Sequence, residues 1–570
     1  MDMKEEMFNI SGVSVECVTI YKKNKTVDFK VKGGRGNKLT VMWEIPFVDM
    51  MYAWHPTCET KRLSVPGNTE SIFSISAPMF CIYNGRKENK YTVAVSEIKE
   101  YVELNGNIIE ETGCLRVEVT VPLINKATEF SIYIDNELKS FEQAIDAVRI
   151  WWENDCGILP MQTPNIAKLP MYSTWYSFHQ NIPDEKLKKE AELAKKLGFS
   201  AIIVDDGWQC DDKSRGYAYC GDWKPAESKI PDMKKHIEDI HHIGLKYLLW
   251  FSVPFVGKYS QKYAEFKDMQ LYYMEDMDAA VLDPRYKTVR TYLTDTYKNA
   301  LTEWKLDGFK LDFIDCFVNR DNVPYNDKMD CESVQEGVDR LLRDIKQTLT
   351  EINPDIMIEF RQRYIGPGIR QYGNMLRVVD CPNTYVSNRV GTLDLRLMSG
   401  KTAVHSDMLM WNSEECVKNA AIQIINIIFS TMQFSVNLES LSDEHVKMLA
   451  FWMNFMARER ELLLESPVTV YDPQSLYTAA SVCNDEKSII AVYNGCKSVN
   501  IQDTVNEIIL INGSQAESII MCTDREQTFK FVIKNCVGDI AANYEKHICD
   551  EVYKVAIPSG GMAEIRRQFN

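Results

Sequence analysis

The sequence predicts a multidomain α/β protein: a central (β/α)8 barrel of the TIM type, with a β-sandwich before it and an antiparallel β-sandwich after it. Three observations carry that prediction. The chain has 570 residues, more than one compact core holds, and this length suggests about three domains. From Met171 to about residue 460, continuous apolar runs alternate with segments of helical period, as parallel β/α folds require. On either side, the pattern changes to short segments of period two. The expected divisions are 1–140 for the N-terminal sandwich, 141–170 for a linker helix and loop, 171–460 for the barrel, and 461–570 for the C-terminal sandwich.

In the first part, Thr26–Lys32, Leu39–Ile45 and Leu115–Val121 alternate apolar and polar residues, with a glycine-rich turn at 33–37. Phe141, Ala144, Ile145, Val148, Ile150 and Trp151 then fall near helical spacing, and Pro160, Pro164 and Pro170 mark a loop. The barrel strands are expected at Met171–Tyr176, Ala201–Val204, Leu245–Phe251, Phe309–Phe313, Ile356–Phe360 and Leu376–Asp380, with weaker candidates at Ala403–Val404 and Met432–Val436. Helices are expected at 183–197, 232–243, 288–304 and 334–351. No GxGxxG follows an early strand to favour a doubly wound open sheet. Strands resume at Lys487–Tyr493, Ile508–Ile511, Thr528–Val532 and Val552–Ile557, and from Met562.

Composition excludes several classes. A formal net charge of -16, with no basic stripe, argues against nucleic acid as a partner. No stretch approaches the length of apolar chain that a membrane span needs, and the N-terminus has no secretory pattern. The 16 cysteines are scattered without a CxxC pair, and those in apolar patterns (Cys17, Cys81, Cys316, Cys381) read as reduced, buried thiols. The expected location is therefore cytoplasmic. Eight histidines without metal-ligand spacing leave no expected metal site and no cofactor.

The chemistry concentrates on Asp307–Phe313. Lys310 and Asp312 share one face of an otherwise apolar strand, because side chains alternate. Burying such a pair is costly unless each charge is compensated. It reads either as a structural ion pair or as part of an active site at a barrel's C-terminal face. Other strand ends carry polar groups too: Asp205-Asp206-Gly207-Trp208 after the second strand, Trp250 on the third and Asp380 on the sixth. Carboxylates accept paired hydroxyls and indole faces pack on the apolar side of a pyranose, so the set suits sugar recognition. A turn or helix cap is the plainer reading of Asp205-Asp206, and core packing that of Trp250. Two carboxylates on different strands are the minimum for glycoside hydrolysis. A cation beside Asp312 keeps a nucleophile ionised, while Val378-Val379 before Asp380 suggest an apolar setting that favours a protonated general acid. A metal-binding acidic cluster would need more oxygen ligands.

These residues resemble glycoside hydrolase family 36, the α-galactosidase-like enzymes of the melibiase clan. The resemblance runs in order through Asp205–Trp208, Gly221-Asp222-Trp223, Lys229-Ile230-Pro231, Gly244–Phe251, Asp307–Asp312, Asp380 with Asn383 and Arg389, and Leu441–Glu444. It implies a retaining, exo-acting α-glycosidase, most simply an α-galactosidase, with Asp312 as nucleophile and Asp380 as acid/base. It also implies that Asp205, Asp206, Trp250, Lys310 and Arg285 contact the sugar. The substrate would be an oligosaccharide or other glycoside, and homo-oligomer formation stays open.

Some positions depart from the family. Its Cys/Gly-rich segment before the acid strand is replaced by Glu359–Gly368, and its tryptophan shortly before the acid is Arg377. Arg361, Arg363 and Arg377 are therefore candidates either to bind an anionic substituent, with Arg361 counted among the substrate-binding residues, or to pair with Glu359 and its neighbours. Competing readings are galactosyl transfer of raffinose-synthase type, an α-glycosidase for a different glycone, a non-catalytic sugar-binding protein and a metal-dependent barrel hydrolase.

Overall fold

The computed structural model describes the chain apart from residues 1–7, 13–16, 24, 33–36, 60, 62–64, 124–126, 213–215, 362–364, 502–504, 550–551 and 569–570. Most of the expected glycine-rich turn at 33–37, and Arg363, lie outside the described residues. The three predicted N-terminal strands form as Thr26–Lys32, Lys38–Pro46 and Cys114–Pro122. They belong to a five-stranded and a six-stranded sheet that face each other. Their period-two pattern puts Val27, Phe29, Val31, Leu39, Val41, Trp43, Val117 and Val119 into the shared core.

Helix Phe141–Asn154 follows. The Ser140 side chain and Gln143 form its capping box, and Phe141, Ala144, Ile145, Val148, Trp151 and Trp152 make one buried face. The Trp152 indole donates to the Val95 carbonyl of the sandwich at 3.0 Å, which ties the helix back to the strands before it.

Eight parallel strands make the central sheet: β1 Met171–Ser173, β2 Ala201–Val204, β3 Lys246–Ser252, β4 Gly308–Asp312, β5 Met357–Arg361, β6 Met375–Arg377, β7 Ala403–His405 and β8 Gln433–Phe434. They neighbour one another in chain order, and β8 pairs with β1. A parallel bridge from His405 to Thr431 nearly closes the ring between β7 and β8. Helices Asp184–Lys196, Met233–Ile243, Lys287–Trp304 and Val334–Ile352 fall within a residue of their predicted spans.

Of the strands that end earlier than expected, two matter for the site. The last ladder bond of β1 runs from the Thr174 amide to the Ile203 carbonyl, and Trp175–Phe178 then turns into a short helix. β6 stops at Arg377 after the Val378 amide bonds the His405 carbonyl. Asp380 therefore lies in a loop beyond the strand, ahead of Pro382, which has no amide to extend a ladder. A three-stranded antiparallel insertion that is not among the expected elements follows β3, made of Phe255–Gly257, Gln270–Met274 and Ala279–Leu282. These segments are too short for periodicity to separate from the barrel strands.

The barrel interior changes character within one step of the pleat. Met171, Ala201, Ile203, Leu248, Met357, Met375 and Ala403 form an apolar lower layer. Gly308 belongs to it as well: a Cβ there would meet the Met357 carbonyl oxygen at 2.5 Å. Two residues further along each strand, on the same face, stand Asp205, Trp250, Lys310, Glu359, Arg377 and His405, all buried.

The last part forms a seven-stranded and a three-stranded sheet around Ile490, Leu510, Phe529, Phe531 and Ile565. Its pairing is mainly antiparallel. Lys487–Val492 with Glu507–Asn512, and Ser498–Asn500 with Ile519–Cys522, instead pair in parallel, because the chain crosses over between them.

Candidate active site

Gly207 shapes the end of β2. Its φ is 110°, and a Cβ there would lie 2.5 Å from Gln180 Cα. Only glycine accommodates that approach and that backbone together. The turn sends Asp205 and Asp206 to different partners. Lys310 Nζ donates to Asp205 Oδ2 at 2.5 Å. Asp206 accepts from Gln209 Nε2 and Gln180 Nε2, each at 2.7 Å. Burial pushes the Asp206 carboxyl up to about 6, against those two amides.

The Trp208 indole donates to the Trp250 carbonyl at 2.8 Å and so fixes the end of β3. The Trp250 indole in turn donates to Asp312 Oδ2 at 3.1 Å. Arg361 Nε lies 3.0 Å from Asp312 Oδ1, which also accepts the Phe313 amide at 2.8 Å. Phe313 itself adopts the left-handed conformation, with φ 65°, where the strand gives way to a short turn. The Arg361 guanidinium lies over the Phe313 ring, 5.1 Å from its centroid. Burial opposes charge on Asp312. Arg361, Lys310 and the Trp250 indole outweigh it and hold the carboxyl well below the usual carboxylate range.

Asp380 corrects one expectation. Its side chain is 41% exposed, and Asp380 Oδ1 sits 2.8 Å from Arg377 Nη1. Partial burial opposes its charge, but Arg377, Lys310 and Arg361 prevail and lower its proton affinity. The apolar setting suggested by Val378-Val379 does not extend to this carboxyl, because the strand ends before it and an arginine fills the space alongside. Asp312 and Asp380 nevertheless lie in one electrostatic neighbourhood. Each responds to Lys310, Arg361 and Arg377, and the Asp312 charge itself acts on Asp380.

Arg377 is consumed by carboxylates: Asp380, Asp407 Oδ1 at 2.7 Å, and Glu359 Oε1 at 3.5 Å from its Nε. This favours the pairing reading of that arginine over an anion-binding one. Arg285 is not drawn into the cluster. It forms a bidentate pair with Asp283, at 2.7–3.1 Å, and donates to the Val323 carbonyl at 3.0 Å. Arg389 also points elsewhere, to Asn426 and to the Leu476 carbonyl, and Asn383 accepts from Gln423. A cavity of about 740 Å³ lined by Trp223, Tyr292 and Trp304 opens beside helix Lys287–Trp304, away from these carboxylates. Among the described residues, Glu526, His547 and Cys549 come together as metal ligands would, but in an exposed C-terminal hairpin.

Four residues of the site escaped the sequence reading: Tyr176, Gln180, Gln209 and Asp407. Asp407 had a visible signal. It lies two residues beyond His405, as Asp312 lies two beyond Lys310. Tyr176, Gln180 and Gln209 lie in irregular segments after β1 and β2, where spacing carries no orientation.

Comparison with known proteins agrees with this architecture. The sequence is 28% identical over 202 residues to alpha-galactosidase Mel36A of Lactobacillus acidophilus, a match covering 33% of this chain and 26% of that protein. It is 26% identical over 150 residues to alpha-galactosidase AgaA of Geobacillus stearothermophilus, covering 25% and 20% respectively. The matched stretch thus spans about a quarter of the length of these curated relatives. The fold superposes on the crystal structure of the GH36 alpha-galactosidase AgaA with a TM-score of 0.62 at 14% identity, covering 97% of this chain and 81% of that one. The galactosidase domain of AgaSK gives 0.64 at 12% identity, covering 99% and 81%. The melibiase family model matches residues 167–465, more than half of the chain, and with the barrel and its ring of strand-end carboxylates in place, the protein belongs to the melibiase family.

Proposed function

We propose that this protein is a retaining, exo-acting α-glycosidase, with a terminal α-galactoside as its substrate. The observation that carries the reading is Asp312: a carboxylate buried at the end of the barrel strand β4, kept ionised by Arg361 and Lys310, with Asp380 in the same field. An Asp312 oxygen attacks the anomeric carbon. The glycosidic C–O bond breaks, and its electron pair leaves on the aglycone oxygen, which takes the proton of Asp380. Asp380 then removes a proton from water as that water attacks the same carbon, and Asp312 is released with the configuration retained. Asp205, Asp206, Lys310, Trp250 and Arg361 line the sugar in this reading. An AgaA variant of Geobacillus stearothermophilus has been crystallised with raffinose and another with stachyose. An oligosaccharide ending in α-galactose is therefore the first substrate to try. Free thiols buried in the core, among them Cys58, Cys81 and Cys220, support a reducing, cytoplasmic setting.

A panel of aryl α-glycosides tests the assignment, with wild type, Asp312→Ala and Asp380→Ala side by side. Wild type is expected to cleave the α-galactoside and to release the α-anomer first. Azide is expected to rescue Asp312→Ala as the glycosyl azide of inverted configuration. Full activity in Asp312→Ala would remove the nucleophile assignment. Cleavage of another α-glycoside in place of the galactoside would change the sugar and leave the mechanism.

A further inference from the structure

Asp407, at the end of β7, is fully buried, and the mechanism above leaves it without a role. Two of its contacts lead to Asp380. Asp407 Oδ1 accepts from Arg377 Nη1 at 2.7 Å, and that same nitrogen lies 2.8 Å from Asp380 Oδ1. Asp407 Oδ2 accepts the amide of Cys381, the residue directly after Asp380, at 2.7 Å, and the Tyr176 hydroxyl at 2.9 Å. The Asp407 backbone is itself fixed from both sides, its amide donating to Asn388 Oδ1 and its carbonyl accepting from Asn388 Nδ2, each at 3.0 Å. The loop holding Asp380 thus rests on one buried carboxylate, through a side chain and through the main chain.

We propose that Asp407 is the positioning residue of the acid/base: through Arg377 and the Cys381 amide, with Tyr176 behind it, it fixes where Asp380 sits and how tightly Asp380 holds its proton. The inference rests on the catalytic reading of Asp312 and Asp380 given above. Two carboxylates share one guanidinium nitrogen, so the charge state of each sets what the arginine can do for the other. When Asp407 is ionised, it takes part of the Arg377 charge and adds a negative charge near Asp380, so Asp380 keeps its proton more readily, as an acid must. When Asp407 is neutral, Arg377 is shared with one anion fewer and holds Asp380 as the anion, as a base must be. The other charged groups facing Asp380 are Lys310 and Asp312 from β4 and Arg361 from β5, while Glu359 of β5 faces Arg377 from behind. Around Asp407 the charged groups are Arg377 and Asp380, and burial pushes its carboxyl up to about 6. This arrangement belongs to the departures from the family: Arg377 stands where a tryptophan was expected.

The basic limb of the pH profile of kcat/KM reads the proton on the acid/base in the free enzyme. With an aryl α-galactoside as probe, Asp407→Asn removes a negative charge beside Asp380, so the basic limb is expected to move to lower pH by at least about half a unit. Arg377→Met removes the positive charge and is expected to move the same limb to higher pH. A merely structural role would lower activity in both variants without moving the limb in opposite directions. Tyr176→Phe serves if Asp407→Asn does not fold: loss of the hydroxyl leaves Asp407 more protonated, so the limb is expected to move in the Asp407→Asn direction by a smaller amount. Unmoved limbs in Asp407→Asn, or in Tyr176→Phe where that variant stands in, would overturn the inference. If those limbs stay still while Asp312→Ala is inactive and rescued by azide, only this inference fails. If Asp312→Ala is as active as wild type, the catalytic reading fails first and takes the inference with it.

Discussion

Lys310 Nζ lies 2.5 Å from Asp205 Oδ2, so the lysine of β4 reaches past β3 to the end of β2 and does not pair with Asp312 on its own strand. Both side chains are buried, at 5% and 3% exposure. The two acids that flank this lysine are thereby given different partners: Asp205 takes the ammonium, and Asp312 takes the Arg361 guanidinium.

Replacing Lys310 by Met leaves Asp205 buried without its cation. Removing one partner of a buried ion pair costs about 3–5 kcal/mol. Lys310→Met is expected to lower the melting temperature by roughly 5–10 °C and to abolish turnover of the α-galactoside. Scanning calorimetry and a steady-state assay on the same preparation check both. An unchanged melting temperature would mean that the pair does not hold the barrel mouth together.

Trp250→Phe keeps an aromatic ring in the buried stack but deletes the donor to Asp312 Oδ2 at 3.1 Å. A hydrogen bond to a charged group contributes about 1.5–3 kcal/mol, so kcat is expected to fall roughly 10- to 100-fold, with the melting temperature lowered less than in Lys310→Met. Parallel measurement of kcat and of the thermal melt separates the lost donor from a packing defect. A melt as depressed as that of Lys310→Met, with kcat retained, would assign Trp250 to the core alone.

Much of this was legible in the sequence, and the parts that were not share a cause. The face shared by Lys310 and Asp312 follows from strand geometry, and Asp205 and Trp250 fall in the same ring by the same rule. Which cation meets which carboxylate does not follow, because pairing across the barrel depends on shear and on side-chain reach. Lys310 went to Asp205 for that reason. Asp380 shows a second limit. Its setting was inferred from Val378 and Val379, its neighbours in the chain, whereas its proton affinity is governed by Arg377, Lys310 and Arg361, which come from three different strands. Arg285 shows a third: the sugar contact implied by the resemblance did not reveal that Asp283, two residues earlier, would engage its guanidinium.

Gly308→Ala probes the packing beneath the site. The added Cβ would lie 2.5 Å from the Met357 carbonyl oxygen and 2.9 Å from Leu248 Cγ, and the first of these is backbone that cannot swing away. Overpacking of this kind costs about 1–3 kcal/mol. A lowered melting temperature is expected, together with reduced kcat, because Lys310 and Asp312 ride on the same strand. An alanine variant as stable as wild type would show that β4 and β5 can separate without loss.

Arg361→Met tests how Asp312 is kept charged. In the folded protein the Asp312 carboxyl is depressed, with burial opposing its charge and Arg361 the largest of the groups that favour it. A depressed carboxylate contributes stability that is present above its unfolded value and is lost as pH falls toward the folded one. The stabilising contribution from this pair should therefore be full at neutral pH and fade in acid. Removing the guanidinium raises the proton affinity of Asp312, so the acid limb of kcat/KM is expected to move to higher pH by at least about one unit. The difference in stability between wild type and Arg361→Met should shrink as the pH falls below about 4, where the unfolded carboxyl is protonated. Denaturant titrations at pH 7 and at about pH 2.5, between the unfolded and the folded values, with the pH–rate profile, measure both. An acid limb that stays in place would mean that Lys310 and the Trp250 indole hold the nucleophile ionised by themselves.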